Sequence, residues 1–159
     1  MRLEELYPYW SYTHQQLLDT LEYLTDAQLD YRPYPQAESI QDIVLRFIRD
    51  ERFWIGALVA GYTEYRPVEK EHRTTGTLVE ALTVTREITE RVLEPYSLPG
   101  LRAVRTVPAD PIRNHPETNM PISRLLWQVV ESELATLGQI MLRLQDCKLT
   151  APPRDARRN

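Results

Sequence analysis

Between Ile122 and Leu144 apolar side chains return every three or four residues, at Ile122, Leu125, Leu126, Val129, Val130, Leu137, Ile140, Met141 and Leu144. At about 100° per residue, that spacing draws a single stripe down one side of an α-helix. A helix apolar on one face has to bury that face against another element. Three further stretches offer the partners. Leu6, Trp10, His14, Leu17, Leu21 and Leu24 form one stripe; Ile40, Ile43, Val44, Phe47, Trp54 and Leu58 a second; Leu78, Leu82, Thr85, Ile88 and Val92 a third. The pattern predicts four long helices near residues 4–24, 39–60, 77–95 and 120–146, packed as an all-α bundle with irregular connections.

The breaks between the stripes carry the right chemistry. Thr25-Asp26-Ala27-Gln28 has the form of a capping box and opens a short extra turn, which Arg32-Pro33-Tyr34-Pro35 ends. Ser39, with Asp42 three residues on, caps the second helix, and Gly61 stops it. Tyr62 to Gly76 reads as a polar loop, and Thr77-Leu78-Val79-Glu80 as the box that opens the third helix, ended by Pro95 and Pro99-Gly100. Val104-Arg105-Thr106-Val107 has strand character inside a proline-rich connection, and the fourth helix is expected to open near Asn119 with Pro121 in its first turn. Residues 1–150 form a single domain in this reading, and residues 151–159 a disordered basic tail.

Bulk properties narrow the function. A net charge of −4 argues against a dedicated nucleic-acid binder, which shows a basic surplus. The single cysteine, Cys147, permits no intrachain disulfide and fits a cytoplasmic setting. The segment MRLEELYPYW lacks the unbroken apolar stretch of a signal peptide, and no run is long enough to span a bilayer. None of the five glycines forms a phosphate-cradling motif.

Several motifs, in order along the chain, resemble the DinB/YfiT family. Ser39-Ile40, then Ile43-Val44-Leu45, then Glu51 and Trp54 resemble its second helix. Leu125-Leu126-Trp127 through Glu131 and Glu133 to Gly138-Gln139-Ile140 look like its last helix, and Leu24-Thr25-Asp26 with Arg32-Pro33 fit behind the first. The resemblance covers nearly the whole chain. It implies a bundle of four long helices and a divalent metal held by one histidine of the second helix and two of the fourth, spaced H-x-x-x-H. It also implies, for some members, thiol-dependent S-transferase or isomerase activity.

The sequence departs from that pattern at the implied ligands. Arg46 stands at the second-helix position, and Ser132 and Thr136 at the two fourth-helix positions; Gln128 replaces a further histidine of many relatives. A guanidinium has no lone pair to give, and hydroxyls are poor ligands for Zn or Ni without imidazole or thiolate beside them. No metal and no cofactor is therefore expected. Gln128, Ser132 and Thr136 share one helix face, and if the fold matches, Arg46 faces them. Arg46 then either binds a small carboxylate or phosphate or pairs with Asp42 or Asp50, four residues away on either side.

Of the three histidines, His72 and His115 read as solvated loop residues, whereas His14 falls inside an apolar stripe. Glu133 lies near the centre of the fourth stripe and requires a polar partner, with His14 the first candidate and Arg46 the second. Two functions remain open. One is a non-catalytic, metal-free bundle that binds a small anionic ligand or a protein. The other is an S-transferase-like, isomerase-like or hydrolase-like enzyme with a site rebuilt from His14, Arg46 and Glu133. The resemblance also implies a homodimer, since relatives often pair through helices, and aromatic residues, Trp10 and Trp54 among them, suit an interface core, though they suit a bundle core equally well.

Overall fold

The computed structural model describes residues 3–62, 74–110 and 116–147. A first turn, α1 (Leu3–Leu6), leads into α2 (Trp10–Glu22); the expected first helix is divided at Tyr7-Pro8, where proline has no amide hydrogen to donate. The short α3 (Asp26–Leu29) follows, its box visible in the Thr25 amide donating to Gln28 Oε1 at 2.8 Å. Then come α4 (Ile40–Glu51), α5 (Thr75–Leu93) and the 25-residue α6 (Ile122–Asp146). The long helices pack as a bundle, with α4 against α6 and α5, and α2 against α5 and α6.

Ser39 caps α4 as the sequence requires. Its Oγ accepts from the Asp42 amide at 3.2 Å, and its own amide donates to Asp42 Oδ2 at 2.9 Å. Gly61 ends the same rod with φ +72°, a conformation that costs glycine nothing. The third helix begins earlier than expected. Thr74 is its cap and Thr77 the reciprocal partner, so Thr77-Leu78-Val79-Glu80 lies inside the helix. The fourth also differs: Thr118–Pro121 is a strand, β2, and the helix starts at Ile122. It pairs antiparallel with β1 (Val104–Val107), Val104 opposite Pro121 and Val107 opposite Thr118. Proline at the strand's end lets the ladder stop where α6 begins.

The core is continuous, with Leu17, Leu21, Ile43, Phe47, Leu78, Leu82, Leu125 and Val129 almost wholly buried. Trp10 is part of it and Trp54 packs against it half-buried, so both serve the bundle interior. Along the second rod Phe47, Glu51, Ile55 and Val59 are all buried at four-residue steps, while Trp54 and Leu58 are half-buried. A regular four-residue spacing drifts about 40° per step in an α-helix. Here Arg52–Ala57 is π-helical, with Leu58 N–H reaching Phe53 O and Ala60 N–H reaching Ile55 O. The wider turn absorbs the drift and keeps all four on the core side. His72, His115 and the tail 151–159 lie outside the described residues.

Candidate functional site

One polar cluster crosses the core and draws a residue from each long helix: His14 of α2, Glu51 of α4, Arg86 of α5 and Glu133 of α6. Their exposures are 7%, 1%, 5% and 2%, so water does not compensate their charges. Glu133 Oε1 is 2.8 Å from His14 Nδ1 and accepts from Arg86 Nη2 at 2.7 Å. Arg86 also pairs with Glu51, Nε to Oε1 at 3.2 Å and Nη2 to Oε2 at 3.3 Å. Its guanidinium stacks 3.9 Å above the Trp10 ring, a cation–π contact strengthened by the dry surroundings. Trp10 in turn donates Nε1–H to Glu90 at 3.2 Å.

His14 is thus the partner that Glu133 requires, as the stripe positions predict. Arg46 is not the second partner; Arg86 is. Both unread members had a signal. Arg86 follows Leu78 and Leu82 at four-residue steps, and Glu51 lies between Phe47 and Ile55 at the same step. A charged residue in an apolar stripe marks a buried pair.

The cluster holds two carboxyls against one guanidinium and one imidazole. With both carboxylates ionised and His14 neutral, it would carry an excess negative charge in a low dielectric. One proton removes that excess. Burial pushes the Glu51 carboxyl above the usual glutamate range, against the pull of Arg86 and a hydrogen bond from Thr89. Among the described residues, His14 Nε2 and Arg86 Nη1 have no hydrogen-bond partner.

Arg46 lies apart, on the seam between α4 and α6. Its guanidinium grips Glu38 with Nε and Nη2, at 3.1 and 3.0 Å, and donates to Gln139 Oε1 at 2.7 Å. Asp42, one of the two aspartates a turn away, pairs instead with Arg32 at 2.6 Å. Thr136 is buried, Ser132 and Gln128 are half-buried, and Gln128 donates to Glu131 on its own helix. Arg143 donates to the Glu38 carbonyl at 3.0 Å, and Arg32 to the Ala37 carbonyl at 2.6 Å. Three arginines therefore converge on the short segment that leads into α4.

A divalent metal does not fit these donors. Arg46 can only donate, Ser132 and Thr136 offer hydroxyls, and in the buried cluster a guanidinium stands between the carboxylates. Among the described residues, no three His, Cys, Asp or Glu side chains are grouped to hold an ion. No described helix is long and apolar enough to cross a membrane.

No protein-family model matches the chain, and no curated protein matches it. A crystal structure of a DinB-like protein from Bacillus cereus ATCC 10987 does share its fold. The TM-score is 0.74 at 16% sequence identity, covering 94% of this chain and 95% of that one. The architecture is DinB-like, and at that identity the likeness is one of fold.

Proposed function

We propose that this chain is a metal-free binding protein on a DinB-like bundle, and that Arg46 is the group its site offers to a small carboxylate or phosphate. The observation that carries this reading is the two-pronged pair between Arg46 and Glu38, completed by Gln139. Guanidinium recognises a carboxylate or phosphate through parallel N–H donors, and Glu38 already sits there in that geometry. The Glu38 side chain is 48% exposed and that of Arg46 35%, so an incoming anion has only a surface ion pair to displace. The alternative is an enzyme built on His14 and Glu133, but it needs substrate to reach two side chains that are 7% and 2% exposed.

Calorimetric titration of acetate, succinate and inorganic phosphate tests the proposal. Binding is expected to strengthen in Glu38→Gln, which removes the resident carboxylate, and to vanish in Arg46→Gln. If no anion binds wild type or Glu38→Gln at millimolar concentration, the arginine only clamps the loop before α4, and the proposal fails.

A further inference from the structure

The second rod and α5 run side by side in the same direction. Arg52 donates Nε–H to Thr85 at 3.0 Å and Glu51 pairs with Arg86, while further along Val59 and Tyr62 lie beside Val92 and Tyr96. Both helices therefore end on the same side of the bundle, the rod at Gly61 and α5 at Leu93. Between the two ends a cavity of about 420 Å³ opens to solvent, within the size range of small-molecule sites. Val59, Val92 and Pro95 give it an apolar wall. Tyr62 is turned back onto the rod and adds its ring. Its amide donates to the Gly56 carbonyl at 3.0 Å, and its Cδ2 lies 3.6 Å from where a Cβ at Gly56 would stand.

Two donors in this lining have no acceptor among the described residues. Arg91 is exposed and no described side chain pairs with it; Glu90 beside it accepts from Trp10 instead. The Tyr96 hydroxyl accepts from Arg105 Nη2 at 3.3 Å, which leaves its own hydrogen free to donate. Among the described residues no carboxylate lines the cavity.

We infer that this cavity binds a small monocarboxylate with an aromatic tail. The carboxylate takes the Arg91 guanidinium and the Tyr96 hydroxyl, and the tail lies against Val59, Val92, Pro95 and the Tyr62 ring. Each half of the lining rules out a simpler ligand. Inorganic phosphate would satisfy the donors and leave the apolar wall wet, whereas an uncharged aromatic would cover the wall and leave the guanidinium without an anion. The inference does not rest on the Arg46 reading. Arg46 lies on the α6 side of α4, about three and a half turns before Val59, and its guanidinium already holds Glu38, whereas Arg91 has no resident anion to displace.

Titration of the isotope-labelled chain with phenylacetate, followed by amide NMR shifts, gives both the affinity and the place of binding. Acetate and phenethyl alcohol serve as the two halves of the ligand. Phenylacetate should bind with a Kd of about 1 mM, as a ligand of its size allows, and shift the amides of residues 59–62 and 91–96. Each half should bind at least about tenfold more weakly at those amides, because each makes only one of the two contacts. Arg91→Gln should weaken phenylacetate about tenfold, and Tyr96→Phe about threefold. Circular dichroism should be unchanged in both, since Arg91 is exposed and phenylalanine keeps the ring. Arg46→Gln should leave the phenylacetate affinity as it is. A wild-type chain whose amides do not shift at about 20 mM ligand overturns the inference. So does an Arg91→Gln chain that binds phenylacetate as tightly as wild type, or an alcohol that binds as tightly as the acid. Shifts confined to the surroundings of Arg46, and lost in Arg46→Gln, also overturn it while leaving the Arg46 site standing.

Discussion

Replacing Glu133 with alanine removes the carboxylate that links His14 to Arg86 across the core. Glu133 accepts from His14 and Arg86 at 2.8 and 2.7 Å and is 2% exposed. Two hydrogen bonds to a charged acceptor contribute about 1.5–3 kcal/mol each. They do not add fully, because Arg86 keeps Glu51 and its charge stays compensated. His14 loses its only ring-nitrogen partner among the described residues, and a buried void is left. The expected cost is about 3–5 kcal/mol, the range for breaking one side of a buried pair. With a urea slope of about 2 kcal/mol per molar, the midpoint should fall by roughly 2 M. Glu133→Gln retains the shape and one acceptor, so its loss should be smaller. Urea denaturation followed by circular dichroism measures both. If Glu133→Ala unfolds at the wild-type midpoint, the carboxylate does not hold this core together and the reasoning is refuted.

Three further outcomes are expected. Because burial raises the folded-state value of Glu51, its contribution is fully present below the ordinary glutamate pKa of about 4.3 and is lost as pH rises through the folded value. The urea midpoint of wild type should therefore fall relative to Glu51→Gln across that window, and a constant offset from pH 4 to 8 would show that Glu51 ionises normally. Zn²⁺ or Ni²⁺ should leave the wild-type melting temperature unchanged, while Arg46→His, Ser132→His and Thr136→His combined should gain a metal-dependent rise; a stoichiometric transition metal in purified wild type counts against the first half. Ser39→Ala removes the cap of α4 and should cost about 1 kcal/mol, read as a lower thermal midpoint, with an unchanged midpoint showing the cap to be dispensable.

The bundle was legible because each long helix carries a one-sided stripe with polar punctuation, and because Ser39 and Gly61 do locally what their chemistry dictates. The pairing of His14 with Glu133 was legible for a related reason: each interrupts an apolar stripe, and two such interruptions in one core need each other. Arg86 escaped because Thr85 and Ile88, on either side of it, already continue the stripe from Leu82 without the arginine. The start of α6 was misplaced because Asn119 and Pro121 suit a helix opening as well as they suit the end of a short strand. Only the pairing with Val104–Val107, set by chain positions more than ten residues apart, separates the two. The partner of Arg46 was not legible from helical spacing, since Glu38 belongs to the loop before α4 and Gln139 to another helix.

The π-helical turn at Arg52–Ala57 also makes chain length negotiable at one place. A π-turn holds one residue more than the α-helical turn it replaces. Losing a half-buried residue there, Phe53 for example, allows the rod to run through as ordinary α-helix, with Glu51 before it and Val59 beyond it each keeping its facing. The same loss between Ile43 and Phe47 has no slack to draw on: it turns everything on one side of the cut by about 100° and carries core residues into solvent. Urea midpoints of the two single-residue deletions would separate a chain that shortens without consequence from one that no longer fits its own interior.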